Sequence, residues 1–523
     1  MVITMMRIAR ILGSLGLCLA FGCAWGDVRL PNLFGDNMVL QRDRPIPVWG
    51  WATPGEEVTV QLGAVIAKAV TNANGEWLVQ LPARKDGDGL EMSIAGKNTL
   101  TLRGVVVGDI WVCSGQSNME MNVGETGATA DIEAANYPRI RRLKIDHLKA
   151  AVSAHDIPRT IGTGFWQVCS PKSAGYFTAA GFYFAREIVN QTGVPIGLFD
   201  VNWGSTQIEP WIAPIGLAAL PELATLNATQ QKELADYTKQ TPVQLAKMDT
   251  WLADARKAYA ESRPAPPLPE MPKFPYACSL YRGMIAPLVR FPIKGVLWYQ
   301  GEANGDDGDS YYYKMRALVG GWRMAWNQGD FPFYYVQLAN WMPATDDPAG
   351  GDYWAKIRCA QAKALSIANT GMASAIDIGD AQNIHPKDKQ ELGKRLARWA
   401  LARDYGKTKV IPCGPIFREM KIEGHAIRLY FDHLGSGLMV GKKTDHHPAV
   451  EDKTGKLARF AIISAYGNWV WANAVIEGDT VVVSSDKVPN PVAVRYAYSM
   501  NPAGANLYNR EGLPASPFRT DNW

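Results

Sequence analysis

The chain has 523 residues, 47% hydrophobic and 20% charged, with 54 Lys and Arg against 50 Asp and Glu for a formal charge of +4. That length exceeds what one hydrophobic core usually supports, and the composition is globular and not disordered. The charge is too balanced for a nucleic-acid or membrane-surface footprint, so a neutral partner is expected.

At the N-terminus, Arg7 and Arg10 precede the apolar run Ile11 to Phe21 and then small residues, the charged, apolar and cleavage regions of a secretory signal. Cleavage after Gly26 places Ala24 and Gly26 at the small positions. Gly22-Cys23 makes a poor lipoprotein site because Ala20 and Phe21 replace the usual aliphatic and small residues, so soluble export is expected ahead of a lipid anchor at Cys23. No later segment reaches about 18 uninterrupted apolar residues, so no membrane span is expected in the mature chain. Loss of residues 1–26 removes Cys18 and Cys23 and leaves Cys113, Cys169, Cys278, Cys359 and Cys413, an odd number at irregular spacing that is no disulfide framework. The adjacent His446 and His447 sit in a charged, loop-like stretch and read as surface residues, not metal ligands.

From Asp27 to about residue 104 apolar and polar residues alternate, as in Val58 to Leu62 and Trp77 to Leu81, with turn signals at Pro54-Gly55 and Asn74-Gly75. This spacing predicts a small β-sandwich over 27–104. Over 105–410 apolar strand candidates (Val105 to Cys113, Val194 to Val201, Ile293 to Tyr299, Phe333 to Leu338, Met372 to Ile378) are interleaved with helical stretches near Thr178 to Gln191, Tyr353 to Ala368 and Lys387 to Arg403. Such alternation predicts an α/β domain with a doubly wound parallel sheet, whose ligands sit beyond the strands' carboxyl ends. A helical insertion is expected within 213–275. There Thr241-Pro242-Val243-Gln244 reads as a helix start, with Leu245, Met248, Leu252 and Tyr259 following on one packed face, and the Pro-rich Arg263 to Pro275 ends it. After residue 411 alternation returns, as in Ile427 to Phe431 and Thr480 to Ser484, and predicts a second β-rich region over 411–523. Eighteen Trp and twenty Tyr are many for this length; most serve the cores, and flat faces left over can stack on sugar rings.

The candidate chemistry lies where these strands end. Ser117, in Gly115-Gln116-Ser117-Asn118-Met119, follows a buried strand on a glycine-bearing turn and is the candidate nucleophile. A serine hydroxyl needs a base, and His385, on a loop just before Pro386 and downstream of acids at a strand end, is the candidate. The attacked carbonyl becomes an oxyanion that needs donors already aimed at it. Backbone N–H groups of Ser117 and Gly204 are expected to serve, with the amide of Gln300 or Asn304 adding a third. Asp380 is the expected acid partner of His385, being nearer to it than Asp377, the alternative. Glu120 and Glu302 are expected to support the site by hydrogen bonding and not as acid catalysts. Neither cofactor nor metal is expected.

Three of these motifs, Gly-Gln-Ser-Asn-Met at Gly115, Trp-Tyr-Gln-Gly-Glu-Ala-Asn at Trp298 and Asn-Ile-His-Pro-Lys-Asp-Lys at Asn383, resemble those of the sialate O-acetylesterase family of SGNH-type hydrolases. The likeness extends to Asn37-Met38-Val39-Leu40-Gln41 and to the closing stretch from Asn506 to Asp521. It implies an SGNH-type α/β fold and O-acetylesterase activity on carbohydrate, either acetylated sialic acids or acetylated plant polysaccharides. One position departs: many SGNH hydrolases carry Asp three residues before the histidine, whereas here Gln382 stands there, followed by Asn383. A non-catalytic carbohydrate-binding protein is the alternative reading, against which Ser117 and His385 both argue.

Overall fold

Segments that alternate become antiparallel strands with one solvated face, and the continuously apolar segments of the central region become parallel strands covered on both faces. The computed structural model describes residues 27–160 and 163–522; the expected signal segment, with Cys18 and Cys23, lies outside the described residues. The chain divides into a smaller unit, residues up to 31 with 47–81 and 91–102, and a larger one, residues 32–46, 82–90 and 103–523.

In the smaller unit Glu57–Leu62 pairs antiparallel with Val65–Val70 and with residues 92–95, while Ile46–Trp51 pairs with Glu76–Leu81. Val58, Val60 and Leu62 are buried between more exposed neighbours, and Val48, Trp77, Val79 and Ile94 are buried as well. Gly55 and Gly75 turn the chain at φ of 79° and 77°, where a side chain would be strained.

The larger unit is organised by a sheet of six parallel strands in the order Thr370–Ser374, Phe333–Gln337, Gly295–Tyr299, Thr99–Gly115, Ile196–Asn202, Tyr137–Lys144, with Trp166–Cys169 antiparallel at the edge. Chain order reverses about Thr99–Gly115: the next two strands lie on one side of it and the last three on the other. Such a switch point leaves a crevice at the carboxyl ends of the strands.

Side chains alternate across this sheet and meet helices on each face. Trp111 packs edge-on against Phe184 of the helix Ala179–Thr192, ring centroids 4.9 Å apart, and stacks on Tyr334, which stacks in turn on Trp399 of the helix Lys389–Arg403. Trp298, in register with Ser114 and so on the opposite face from Trp111, packs on Trp322 of the helix Ser310–Trp326. The doubly wound sheet expected from the sequence is therefore observed.

Several elements escaped the sequence reading, two of them with a clear physical reason. Tyr137–Lys144 carries Arg141, Arg142 and Lys144, which break up its apolar pattern; Arg142 and Lys144 pair with the buried Asp200 at 2.5 and 3.2 Å, and Arg141 donates to the carbonyls of Asn37 and Gly104. Ser310–Trp326 contains Gly320-Gly321, a pair that lowers helix propensity, yet Gly321 is needed because its Cβ would lie 2.9 Å from Gly216 Cα. Other boundaries shift. The expected strand Met372 to Ile378 ends at Ser374, and the helix from Tyr353 ends at Lys363.

The insertion differs most. One helix runs Ala224–Ala260 with Pro242 inside it, so Thr241 is no cap; its hydroxyl donates to Tyr237 O at 2.6 Å within the helix. Nor is the expected face packed, since Leu252 and Tyr259 are exposed and only Gln230 and Ala258 of this helix are buried. The Pro-rich return runs back along the helix, with Trp251 Nε1 donating to Pro266 O and Lys273 paired with Glu233. Beyond residue 411, Ile416–Glu423, Ala426–Asp432, Thr480–Ser484 and Asn473–Glu477 form an antiparallel sheet. Its Ile427, Leu429, Val481 and Val483 share a core with Phe460, Ile462, Val494 and Phe518 of a second sheet.

The helices Ala179–Thr192 and Lys389–Arg403 meet at backbone distance: a Cβ on Gly393 would lie 2.5 Å from Tyr183 Cβ and 2.8 Å from Phe184 N. Gly393→Val is expected to destabilise the larger unit by roughly 1–3 kcal/mol or more, read as a lower urea midpoint. An unchanged midpoint would contradict this packing.

Candidate active site

Gly115 ends the central strand with φ of 137°, and a Cβ there would sit 2.1 Å from Tyr299 O, so the position admits glycine. Gln116 N–H donates to Tyr299 O at 3.0 Å, and Ser117 opens the short helix Ser117–Glu120. A first-turn N–H has no intrahelical acceptor, which leaves the Ser117 N–H available to a ligand.

Ser117 Oγ lies 2.8 Å from His385 Nε2. With the proton on Nδ1, Nε2 accepts from the hydroxyl, the state a general base requires. The His385 loop follows Thr370–Ser374 and is shaped by side-chain turns: Asp380 Oδ1 accepts from Gln382 N, and Asn383 Oδ1 from His385 N, each at 2.9 Å. Burial and the Lys389 charge push the His385 pKa below the usual 6.5, while the Glu125 carboxylate pulls it the other way.

Neither expected acid reaches the ring. Asp380 is exposed, and its side chain accepts from Gln382 N. Asp377 is bound by both arms of Arg395, at 2.6 and 2.9 Å, and by Tyr508 OH. The reason is the early end of the strand at Ser374, which leaves Asp377 under the loop on the helix Lys389–Arg403, while Asp380 forms the loop's outer turn. Among the described residues no carboxylate hydrogen-bonds His385. The carboxylate whose charge favours its protonated form is Glu125, whose sequence signal is only that of a capping box at the start of the helix Val123–Thr126.

The oxyanion candidates also divide. Gly204 lies against Ser117, a Cβ there being 3.4 Å from Ser117 Cβ, but its N–H donates to Glu120 Oε2 at 2.6 Å. The other Glu120 oxygen pairs with His147 Nε2 at 2.9 Å, and the His147 ring stacks on Trp203 with centroids 4.3 Å apart. Burial pushes the Glu120 carboxyl up, yet the bonds from His147 and Gly204 and the Lys144 charge outweigh it and hold the group below its usual value.

Gln300 and Asn304 turn inward, contrary to expectation. Gln300 Nε2 donates to Gln116 Oε1, Thr206 O and Asn304 Oδ1, while Asn304 Nδ2 donates to Glu209 and Asp307. Both are buried, and they tie the loops after the first, third and fourth parallel strands together. Tyr276, the residue that follows the insertion, reaches the same loop, its OH donating to Gln207 Oε1. His446 is exposed and paired with Asp388, in keeping with its reading as a surface residue.

A family model described as carbohydrate esterase, sialic acid-specific acetylesterase, matches residues 271–402. Curated sialate O-acetylesterases of Mus musculus and Homo sapiens are each 27% identical to this chain, over 99% and 94% of it and 97% and 92% of their own lengths. A crystal structure titled a novel carbohydrate acetylesterase, from Xanthomonas citri, aligns over 95% of this chain and 100% of its own, with TM-score 0.78 and 34% identity. The chain belongs to the sialate O-acetylesterase family. It is an acetylesterase, a carboxylic ester hydrolase, and the non-catalytic reading falls away. Among the described residues no helix is long and apolar enough to cross a membrane.

The geometry separates the two aspartates by experiment. Asp377→Asn breaks a buried ion pair and is expected to cost about 3–5 kcal/mol of stability, read in a denaturant titration. Asp380→Asn is expected to leave both stability and kcat of this acetylesterase within about 3-fold of the parent. A severe loss of kcat in folded Asp380→Asn would restore it as the acid partner.

Proposed function

We propose that this family member is an exported carbohydrate O-acetylesterase in which Ser117 is the nucleophile and His385 the proton carrier. The observation that carries this is the 2.8 Å contact between Ser117 Oγ and His385 Nε2, made beyond the carboxyl ends of the strands at the switch point. The pairing of nucleophile and base on separate, well-anchored loops suits acyl transfer.

In this reading the Ser117 oxygen bonds to the acetyl carbon as its proton passes to His385 Nε2. The carbonyl electron pair moves to oxygen, which the Ser117 N–H receives, joined by the Gly204 N–H once that oxygen displaces the Glu120 carboxylate. Collapse breaks the bond to the sugar oxygen, which takes the proton from His385. Water then repeats the sequence on the acetyl-enzyme, releasing acetate and restoring Ser117. No hydrogen-bonded acid is assigned; the charge of Glu125 offsets the developing imidazolium.

The substrates proposed are acetylated sialic acids, supported by the names of the relatives, or acetylated plant polysaccharides, supported by the resemblance of the sequence motifs. Residues 27–104 and 411–523 are proposed as accessory β-rich regions flanking an esterase domain at 105–410, and residues 1–26 as the export signal.

Acetate release from a panel of acetylated sialosides, xylans and xyloglucans tests the substrate class, and release from none of them would contradict it. Ser117→Ala is expected to abolish nearly all hydrolysis, by about 10³-fold or more, in a protein that still unfolds cooperatively. The base must be neutral, so kcat/KM on an aryl acetate is expected to fall as pH drops through the lowered His385 pKa. The acid limb should therefore lie below 6.5. A limb above that value would contradict the environment described for this histidine.

A further inference from the structure

Lys389 is fully buried on the first turn of the helix Lys389–Arg403, four residues after His385, with no part in the chemistry proposed above. A buried ammonium is costly unless every N–H finds a partner. Here one donates to Asn118 Oδ1 at 2.6 Å and one to Pro386 O at 2.7 Å, and Nζ stands 5.1 Å from the centroid of the Tyr299 ring. Asn118, next to the nucleophile, is equally committed. Its Nδ2 donates to Glu302 Oε1 at 2.6 Å and to Ile384 O at 3.0 Å.

These bonds have one geometric consequence. Ile384 O and Pro386 O are the carbonyls on either side of His385, and each is held by a donor belonging to this cluster. The same Asn118 amide that holds one of them accepts from the lysine that holds the other. The His385 loop is thereby fastened to the residue beside Ser117, and the fastening runs through a charged group. Tyr299, which faces the ammonium, also anchors the turn through its carbonyl, which accepts from Gln116 N.

We propose that Lys389 is a positioning residue that locks the His385 loop onto the Ser117 turn through Asn118 and Pro386 O, its charge favouring the proton-accepting imidazole. This rests on the Ser117–His385 reading and extends it. The charged and titratable groups around the two side chains are Glu125 and Lys389 for His385, and Glu302, Asp388 and Tyr299 for Lys389. Burial pulls the Lys389 pKa down to about 7, with Glu302 and Asp388 opposing, and burial pushes the Glu302 carboxyl up. At the acid side, where His385 titrates, the lysine is charged, and its charge disfavours the imidazolium. The sign follows. Loss of the charge raises the His385 pKa and moves the acid limb of kcat/KM to higher pH.

Lys389→Met keeps the volume and removes the charge and both bonds. In cooperatively unfolding protein it is expected to lower kcat by about 10²-fold with KM within about 3-fold, since it acts on the loop and not on substrate. It should also move the acid limb to higher pH, and an NMR titration of the His385 imidazole should shift the same way. Asn118→Leu removes the amide bridge and the acceptor of one lysine N–H, so it should lower kcat with KM within about 3-fold; it decides the question if Lys389→Met does not fold. Parent-like kcat in Asn118→Leu, or parent-like kcat and an unmoved limb in Lys389→Met, would overturn the proposal. If Ser117→Ala in parallel is inactive, that failure belongs to Lys389 alone; if Ser117→Ala retains activity, the underlying assignment of the nucleophile fails.

Discussion

The hydrogen bond between Ser117 and His385 joins groups 268 residues apart in sequence, and much of the larger unit is arranged so that it can form. Ser117 follows the Thr99–Gly115 strand and His385 follows Thr370–Ser374, with two strands between them in the sheet. At about 4.8 Å per strand the two exits stand roughly 14 Å apart, too far for side chains to meet directly. The loop carrying the histidine must therefore travel back across the ends of Phe333–Gln337 and Gly295–Tyr299. A loop that long would sample many conformations unless its backbone were tied down.

The ties come from the elements it crosses. Asn118 on the nucleophile turn and Lys389 on the helix after the loop hold the carbonyls flanking His385, with Glu302 at the end of the crossed strand completing the set. Around the other side of Ser117, Gln300 and Asn304 lock the remaining loops to Gln116, Thr206 and Glu209. These amides are polar groups in the interior whose donors and acceptors are matched to one another, which is what makes their burial tolerable and their geometry specific. Glycine completes the arrangement where backbones meet, at Gly115 against Tyr299 O and at Gly204 beside Ser117.

Several layers of this were legible in the sequence, for physical reasons. Parallel strands covered on both faces read as apolar runs, and the runs ending at Cys113, Val201 and Tyr299 mark the strands that carry the site. That Ser117 and His385 belong to one site was legible because a Ser after a strand-end glycine and a His before a proline at a helix start are local signals, and the two side chains do meet. What failed depended on tertiary partners. Tyr137–Lys144 hid because its buried cations find partners remote in sequence, Arg142 and Lys144 at Asp200, 56 and more residues away, and Arg141 at backbone carbonyls. The helix start at Thr241 was misread because Pro242 satisfies the local rule for a first turn, while the helix in fact passes through it. Asp380 was favoured by nearness in sequence, but the strand ends before Asp377, and the loop then directs one carboxylate to Arg395 and the other to solvent. Gln300 and Asn304 lie on the expected loop yet face inward, a direction that spacing alone does not give. Glu125, whose charge acts on His385, and His147, paired with Glu120, sit on segments whose place near the site follows only from the assembled fold.

The central claim is that Ser117 carries the acetyl group. The most direct measurement is mass spectrometry of the enzyme quenched in acid during turnover of an aryl acetate. The account predicts one acetyl group, confined to the peptide containing Ser117 and disappearing as substrate is exhausted. Full turnover with that peptide never modified, or with the acetyl group on another residue on the pathway, would contradict it.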